Sequence, residues 1–309
     1  MPSAPKIILD CDPGHDDAIA ILFAAKHCQI LGITAVSGNV NLDLTQHNAR
    51  ITAQILGLDV PVHAGASRPL IAQPFHAEYI HGKTGLGGPE LPELTYPLTS
   101  QNAVDFIINT ARSHDDLYLV PTGPLTNIAL AFRQAPDIIQ KLKGVYLMGG
   151  SASFGNTTPT AEFNIYADPE AAHIVFSSGA KLHMLGLNLT HQFKIYQEDI
   201  ARIRQIDNKA AHFSADLLDF FSQMYANRYF GKIEGPLHDP CAVMALTHPE
   251  LFEFASRHVR VELQGSYTRG MTVVDNRGVK SNQVSNVEVA YKIDRDKALE
   301  VLCETIALY

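Results

Sequence analysis

A buried strand that ends in aspartates, close to the start of the chain, most constrains how this protein folds. Residues 7–9 are consecutive apolar side chains, which is typical of a strand covered on both faces. Asp10 and Asp12 follow directly, and the two-residue period of a strand places both carboxylates on the same side. The strand is therefore predicted to bring two acidic groups to one end of a sheet.

A turn and a helix follow, and they bring two further carboxylates to the same corner. Pro13 and Gly14 indicate a turn, and an amphipathic run then extends to about Lys26. Asp16 and Asp17 lie at its start, where the helix dipole favours acidic side chains. The sequence therefore predicts a strand–turn–helix corner in which four aspartates gather.

Four carboxylates in one corner repel each other strongly if the site is partly buried. Either some of them are protonated or a cation lies among them, and oxygen ligands suit a hard ion such as calcium or magnesium. The alternative is that Asp16 caps the helix and the others are solvated, which would suffice for a single aspartate. Four of them beside a buried strand favour a metal site, because an unpaired buried charge is costly.

Composition restricts the class of protein. The chain has 309 residues, 46% of them apolar, enough for one large α/β domain or two smaller ones. A net charge of −8 argues against binding to nucleic acid or to an anionic membrane, which needs a basic face. Scattered cysteines, the lack of a signal-peptide pattern and the lack of a long apolar run favour a reduced, cytoplasmic protein.

Strands of nearly continuous apolar residues alternate with helical patterns over most of the chain. Such alternation is typical of an α/β fold with a mostly parallel open sheet and helices on both faces. Residues 259–293 predict three antiparallel or edge strands, and residues 294–308 a closing helix. The other predicted strands cover about residues 30–36, 60–64, 117–120, 145–148 and 182–187, and the other predicted helices about 42–56, 102–113, 125–134 and 197–228, with one more beginning near Asp168.

A segment of about residues 67–99 interrupts this alternation. It is rich in proline, glycine and histidine, and so long a connection inside a compact domain is usually a functional loop. Its glycines match neither the dinucleotide-binding pattern nor the P-loop pattern. We therefore predict a flexible flap, with an inert surface loop as the alternative.

Small and polar residues follow the predicted strands where each strand ends. Open α/β sheets bind ligands along the carboxyl ends of their strands, so these residues are expected to line one pocket for a polar small molecule. His238 and Asp239 precede an apolar helix, either as a plain cap or as part of a site. The strand-end residues are Asp10, Asp12, Gly38, Asn39, Thr122, Gly123, Met148, Gly149, Gly150 and Asn188.

Residues 10–17, with the sequence DCDPGHDD, resemble the signature of the inosine-uridine nucleoside N-ribohydrolases. The resemblance extends from Lys6 to the C-terminal helix and implies a single nucleoside hydrolase domain over residues 1–309, with a Rossmann-like sheet. Further stretches that resemble the family follow in order, namely 37–39 (SGN), 80–82 (IHG), 120–123 (VPTG), 147–150 (LMGG), 161–164 (AEFN) and 238–240 (HDP).

The resemblance implies hydrolysis of the N-glycosidic bond of ribonucleosides, with one bound Ca²⁺ as cofactor. The metal ligands it implies are Asp12, Asp17, Asp239 and the backbone carbonyl of Thr122. Asp12 would also act as general base on a calcium-bound water. Asp10 belongs to the motif and is expected to have a supporting role.

For the substrate, the resemblance implies contacts to each hydroxyl of the ribose. Met148 would line the sugar site, and Asn164 is counted with Asp12 and His238 among the catalytic residues. The 2′- and 3′-hydroxyl groups would contact Asp16, Asn39, Asn164 and Asp239. The 5′-hydroxyl group would contact Asn156 and Glu162.

On the base side, His238 is the candidate proton donor or base contact, since histidine titrates in the required range. Tyr225 and Tyr229 are expected to stack on the base or polarise it, and His81 to close over it from the flap. Tyr225, the run Asn227-Arg228-Tyr229 and His238 resemble the broad inosine-uridine-preferring members of the family more than the strictly pyrimidine-specific ones. We therefore predict a broad preference, with a pyrimidine-specific hydrolase of uridine and cytidine as the alternative.

Two other classes of protein are less compatible with the sequence. A haloacid-dehalogenase-type phosphatase also begins with a strand ending in D-x-D, but residues 13–17 depart from its pattern. A non-catalytic nucleoside-binding protein on the same fold would not need Asp12 to activate a water. The predicted partners are small-molecule ribonucleosides, with no nucleic acid and no membrane, and the family suggests a homotetramer or homodimer.

Overall fold

The apolar runs of the sequence form the strands of one central sheet and two smaller ones. The computed structural model describes residues 4–228, 234–279 and 283–309, and the elements named below are those of this part of the chain. The strands are β1 (Lys6–Cys11), β2 (Gln29–Ala35), β3 (Val62–Ala64), β4 (Leu117–Pro121), β5 (Gly144–Met148), β6 (Leu182–Leu185), β7 (Lys194–Tyr196), β8 (Glu234–Pro236), β9 (Phe252–Arg257), β10 (Val259–Val261), β11 (Thr272–Val274) and β12 (Val287–Ile293).

Helices connect the strands, and side-chain caps explain where several of them begin. The Asn41 side chain accepts a hydrogen bond from the backbone N–H of Leu44, and Asp168 accepts one from Ala171 in the same way. The helices are α1 (His15–His27), α2 (Leu42–Ile55), α3 (Glu78–His81), α4 (Ala103–Ser113), α5 (Thr126–Gln134), α6 (Phe163–Ala167), α7 (Pro169–Phe176), α8 (Leu187–Thr190), α9 (Gln197–Arg204), α10 (Lys209–Arg228), α11 (Pro240–Thr247) and α12 (Arg295–Ala307).

The order of strands across the eight-stranded central sheet is β3-β2-β1-β4-β5-β6-β12-β9. All neighbouring pairs are parallel except β12 and β9, which are antiparallel. The chain winds outward from β1 in one direction and from β4 in the other, so the winding reverses between these two neighbours. Such a switch point leaves a crevice at the carboxyl ends of the strands, where ligands bind.

The core lies on both faces of this sheet. Ile7 and Leu9 pack into one buried cluster with α1, α11 and α12, whereas Ile8 between them packs into a second cluster with α5 and α7. The alternation follows from the strand period, and it confirms the prediction of a single-domain α/β fold with a mostly parallel sheet covered on both faces.

The structure differs from the sequence prediction mainly near the C-terminus. β10 and β11 form the predicted antiparallel extension, but β12 instead enters the central sheet beside β6. β9 was not predicted, because its short, half-polar sequence lacks a strong apolar run. The helical region of residues 197–228 is two helices, and the strand after residue 182 ends at Leu185, before α8. No helix in the described ranges is both long and apolar enough to cross a membrane.

Candidate active site

Three of the four aspartates predicted to gather lie together at the switch point, and the fourth carboxylate of the cluster comes from elsewhere in the chain. Asp12, Asp16 and Asp17 lie where β1 passes into α1, and Asp239 joins them from the start of α11. All four are buried, with at most 4% of the residue exposed. Carboxylate oxygens of Asp16, Asp17 and Asp239 lie within 4.8 Å of one another.

Burial and mutual repulsion both act on these carboxylates. Burial, followed by the charge of Asp17, raises the pKa of Asp16 to about 7, and burial raises the pKa of Asp17 to about 6. Burial, followed by the charge of Asp17, raises the pKa of Asp12 well above its ordinary value, and burial, followed by the charge of Asp16, does the same for Asp239. The corner therefore needs protons or a cation in order to be stable at neutral pH.

The residues present fit a hard divalent cation. Asp12 Oδ1 is buried and has no hydrogen-bond partner among the described residues, and such an orphaned oxygen is what a metal would satisfy. The donors that converge here are all oxygens, which suits calcium or magnesium and not a soft metal. The three carboxylates whose oxygens lie close enough together to share one ion are those of Asp16, Asp17 and Asp239. The resemblance to the family implies Asp12 as a ligand and does not include Asp16.

Hydrogen bonds from neighbouring backbone and side-chain groups hold Asp12 and Asp17 in place. The backbone N–H of Asn39 donates to Asp12 Oδ2 at 2.6 Å, and its side chain donates to Asp12 O at 3.1 Å. Asp17 accepts from the backbone of Gly14 at 2.9 Å and from Thr122 Oγ1 at 2.7 Å. Asp17 therefore closes the first turn of α1 as well as facing the cluster, and the plain-cap alternative for Asp16 is wrong, because Gly14 is the cap residue.

Asp10 does not join the cluster, so the prediction that it gathers with the other three aspartates is wrong, and its carboxylate belongs to a separate buried network. Its Oδ1 accepts from Thr34 Oγ1 at 2.5 Å and from Asn127 Nδ2 at 2.8 Å. Burial raises the pKa of Asp10 to about 7. These contacts tie β1 to β2 and α5, which fits the supporting role expected for it.

Glycine is required beside Asp12 because the backbones of the neighbouring strands approach it closely. A Cβ added at Gly38 would lie 2.0 Å from Asp12 Oδ2, and one at Gly123 would lie 2.5 Å from Asp12 Oδ1. Both distances are far below van der Waals contact. The strand-end glycines therefore make room for the carboxylate itself.

Gly38→Ala is expected to lower kcat/KM by about a hundredfold, since a displacement of about 1 Å in a catalytic group has an effect of that size. Turnover of uridine and thermal melting measure the effect and the integrity of the fold. Gly144→Ala is the matched control, because its added Cβ meets its nearest neighbour at 3.5 Å, an ordinary contact. Equal activity of the two variants would contradict this explanation of Gly38.

The acidic corner forms the floor of a cleft of about 550 Å³, measured with its opening to solvent. Asp12 and Asp17 lie below the cleft surface, and Tyr229 lies outside the described residues. Five lining residues were not predicted as site residues, because the sequence suggests only core or loop for them: Ala77, Tyr79, Ile80, Phe163 and Phe221. The predicted site residues that line the cleft are Asp16, Asn39, His81, Thr122, Met148, Asn156, Glu162, Asn164, Tyr225, His238 and Asp239.

Asn164 and Glu162 are fixed at the ends of β4 and β5. Asn164 Nδ2 donates to the carbonyl oxygens of Thr122 at 2.7 Å and Met148 at 3.1 Å. Glu162 accepts from the backbone N–H groups of Gly150 at 2.8 Å and of Asn164 at 2.9 Å. Burial raises the pKa of Glu162 to about 7. Both side chains are therefore held in one orientation before any ligand binds.

His238 and Tyr225 line the cleft on the side of His191, whose ring both of them contact. Thr190 Oγ1 lies 2.7 Å from His238 Nδ1, and the Tyr225 hydroxyl lies 3.3 Å from His191 Nε2. Burial, and then the neighbouring His191, lower the pKa of His238 well below its ordinary value. Asp239 makes no side-chain cap bond at the start of α11, so the plain-cap alternative is wrong for it.

The segment of residues 67–99 lies over the cleft. Tyr79, Ile80 and His81 of α3 belong to its lining, so the segment contributes to the site and is not an inert loop. Asn48 of α2 donates to the Thr84 carbonyl at 2.8 Å and ties the segment down. Its flexibility stays a prediction.

Comparison with known proteins identifies the class of enzyme to which this sheet, with its acidic corner at the switch point, belongs. A family model described as "Inosine-uridine preferring nucleoside hydrolase" matches residues 7–300, so the chain belongs to this family. It is a ribonucleoside hydrolase, an enzyme that acts on N-glycosyl bonds. The non-catalytic alternative is therefore wrong.

Relatives over the whole chain carry a narrower name. A protein named pyrimidine-specific ribonucleoside hydrolase RihA from Shewanella woodyi is 44% identical over 307 residues, which are 98% of each chain. The protein of the same name from Photobacterium profundum is also 44% identical and covers 98% of this chain and 99% of its own.

Solved structures confirm the fold. A purine-preferring ribonucleoside hydrolase from Gardnerella vaginalis superimposes with a TM-score of 0.91 at 34% identity, covering 98% of each chain. A plant nucleoside hydrolase superimposes with a TM-score of 0.90 at 30% identity, covering 99% of this chain and 100% of its own.

Proposed function

We propose that this protein hydrolyses pyrimidine ribonucleosides, uridine and cytidine, to ribose and the free base. The observation that carries the proposal is the full-length identity of 44–45% to relatives named pyrimidine-specific, above the 34% to a purine-preferring enzyme. It favours the pyrimidine alternative over the broad inosine and uridine preference expected from the sequence. The cytoplasmic location and the homotetramer or homodimer stay predictions.

Asp12, Asp17, Asp239 and the Thr122 carbonyl are proposed to hold one calcium ion, with Asp16 close enough to share it. Calcium, when bound, lowers the pKa of a water and orients the sugar diol. Asp12 Oδ1 has no partner in the described part of the chain and is available to take a proton from the attacking water. The other carboxylate oxygen of Asp12 accepts a hydrogen bond from Asn39, so the carboxylate that acts as general base stays in one orientation.

The surrounding carboxylates stabilise the charge that develops on the sugar. Breaking the C1′–N bond gives the ribose oxocarbenium character, as in other glycosyl transfers. Buried acidic groups that are already oriented stabilise such a positive charge without reorganising. The fixed side chains of Asn164 and Glu162 at the ends of β4 and β5 are proposed to bind the hydroxyl groups that keep the ribose in this position.

The leaving base is proposed to receive a hydrogen bond from His238. Because burial lowers the pKa of His238 well below its ordinary value, the ring is neutral at pH 7. A neutral imidazole donates a hydrogen bond but is a weak acid, so His238 would polarise the base without fully protonating it. Tyr225, on the same side of the cleft, would pack against the base.

2′-Deoxyuridine is expected to be a poor substrate. Asp16 and Asn39 line the cleft as buried polar groups, and they would lose their partner if the 2′-hydroxyl were absent. We expect kcat/KM to fall by about a hundredfold relative to uridine, because buried polar groups, one of them a carboxyl group, would lose the hydrogen bond to this hydroxyl. Equal turnover of uridine and 2′-deoxyuridine would contradict the proposed diol contacts.

The base preference is tested by the release of reducing sugar from uridine, cytidine, inosine, adenosine and guanosine under identical conditions. The kcat/KM values for uridine and cytidine are expected to exceed that for inosine by about tenfold or more. A tenfold ratio corresponds to a difference of about 1.4 kcal/mol in the free energy of transition-state binding. Comparable rates for inosine and uridine would return the assignment to the broad preference. Release from purine nucleosides alone would contradict the proposal.

A further inference from the structure

The segment of residues 150–152, which follows β5, is held by hydrogen bonds on two sides. On one side, Leu187 of α8 donates its backbone N–H to the Gly150 carbonyl at 2.9 Å. The side chain of Asn188 accepts from the last N–H of the segment, also at 2.9 Å. On the other side lies Thr272 of β11, more than a hundred residues further along the chain. None of the steps proposed above uses Thr272.

Thr272 binds the backbone of Ser151 through both functions of its hydroxyl group. Its Oγ1 accepts from the Ser151 N–H at 2.8 Å and donates to the Ser151 carbonyl oxygen at 2.7 Å. Because an N–H only donates and a carbonyl only accepts, the direction of both bonds is determined. Both residues are buried, with 3% of Thr272 and 5% of Ser151 exposed, so these backbone groups depend on the hydroxyl group and not on solvent.

The Thr272 side chain also packs against Gly150. This glycine has a φ of +70°, in the left-handed region, and a Cβ added to it would lie 2.7 Å from Thr272 Cγ2. Glycine is therefore required both by the backbone conformation and by the close approach of β11. Since the next residue is held by the hydroxyl group and the glycine itself by the methyl group, Thr272 determines where the Gly150 N–H points.

The Gly150 N–H points at the carboxyl group of Glu162, which lines the cleft. It donates to Glu162 Oε2 at 2.8 Å. The same carboxyl group also accepts from the backbone of Asn164 at 2.9 Å and of Ile165 at 3.1 Å, as the N-cap of α6. Those two bonds are local to α6, so they do not fix the carboxyl group relative to the sheet. The bond from Gly150 does.

Two further contacts join the turn between β10 and β11 to the same side of the cleft. Thr160 Oγ1, two residues before Glu162, donates to the Tyr267 carbonyl oxygen at 2.9 Å. A Cβ added at Gly270 would lie 3.0 Å from the Cα of Tyr166 in α6, so the turn approaches α6 closely. The antiparallel extension formed by β10 and β11 therefore supports the loop and the helix on either side of Glu162.

We propose that Thr272 is a positioning residue, which fixes Gly150 and through it the carboxyl group of Glu162 for contact with the 5′-hydroxyl group of the bound nucleoside. The inference rests on the proposed function, in which Glu162 binds a hydroxyl group of the ribose. Thr272 does not itself line the cleft. It acts on the substrate only through the hydrogen bonds described above, and the antiparallel extension thereby takes part in substrate recognition.

The test compares uridine and 5′-deoxyuridine as substrates of the wild type, Thr272→Val and Thr272→Ser, with kcat and KM measured separately. Valine has nearly the shape of threonine but no hydroxyl group, whereas serine keeps the hydroxyl group. The wild type is expected to prefer uridine by about tenfold in kcat/KM, the effect of one hydrogen bond to a buried carboxyl group. Thr272→Val is expected to lose this preference through a lower kcat/KM for uridine, and Thr272→Ser to retain it.

Thr52→Val is the matched control, because Thr52 is fully buried and its hydroxyl group has no partner among the described residues. It should keep the wild-type preference for uridine. A parallel loss for both substrates in Thr272→Val would indicate a merely structural role and would overturn the inference. The same conclusion would follow from a wild type that does not distinguish the two substrates, or from a Thr272→Ser variant that behaves like Thr272→Val.

Thr272→Ala keeps the inference testable if melting shows that Thr272→Val does not fold. Its smaller side chain leaves space for a water to bind the Ser151 backbone, so the two buried groups are not left unpaired. Such a water does not hold Gly150 as the Thr272 side chain does, so a reduced preference for uridine is expected, and an undiminished one would overturn the inference. A wild type that releases no uracil from uridine would instead refute the proposed function, so the two failures are distinguishable.

Discussion

Asp12→Asn is expected to lower kcat for uridine by about a thousandfold, because removing a general base typically has an effect of 10²–10⁴. The substitution preserves the shape of the side chain, and an amide oxygen can still accept from the backbone of Asn39, as Asp12 Oδ2 does at 2.6 Å. What it removes is the negative charge of Asp12, and with it both the basicity of Oδ1, the buried oxygen that has no partner in the described ranges, and a charged ligand of the proposed metal. The loss should therefore appear in kcat more than in KM.

The control for this substitution is Asp115→Asn, because the Asp115 side chain is 94% exposed and lies outside the cleft. It should turn over uridine like the wild type. Near-normal activity of a folded Asp12→Asn variant would overturn the assignment of the base. A variant that fails to fold is recognised by melting, and Asp12→Glu then serves as a second test, since it keeps the charge but displaces the oxygen.

Removal of calcium is expected to abolish turnover and to destabilise the protein. Extensive dialysis against a chelator should reduce the rate to background, and added Ca²⁺ should restore it. A ligand at a hundred times its dissociation constant stabilises the folded state by about 2.7 kcal/mol, so the melting temperature should rise on return of the metal. A chelated protein with unchanged activity and melting temperature would contradict the metal site.

The stabilisation by calcium should depend on pH in a defined direction. Burial raises the pKa of Asp17 to about 6 and, with the charge of Asp17, that of Asp16 to about 7, from an unfolded value of 3.8. The metal-free folded state then binds more protons than the unfolded state, so these groups lose their stabilising contribution as pH rises from about 4 to 7. The difference in melting temperature with and without calcium should therefore grow over this range, while contributions from distant histidines cancel. A difference that shrinks with rising pH would contradict this explanation.

The acidic corner could be predicted from the sequence because its parts are close along the chain. Asp12, Asp16 and Asp17 lie within six residues of one another, and a strand, a turn and a helix determine where they point. Asp239 is different, since it reaches the corner from α11, and a plain cap explained its sequence context equally well. The resemblance to the family, and not the local pattern, placed it among the metal ligands.

The remaining features depend on tertiary packing that local sequence does not encode. Phe221 has the helical spacing of a core residue and is buried, yet it also lines the cleft. β12 pairs in parallel with β6, more than a hundred residues away in sequence. The neutral state of His238 follows from its burial, and the contact of Thr272 with Ser151 follows from the packing of β11 against the segment after β5.

The most direct test of the central claim is to incubate the calcium-loaded protein with uridine in phosphate-free buffer and to measure uracil and ribose separately. Hydrolysis predicts uracil and reducing sugar in equal amounts, with a rate that added phosphate does not change. Unchanged uridine in the presence of calcium, or uracil formed only when phosphate is supplied, would contradict the assignment of this protein as a pyrimidine ribonucleoside hydrolase.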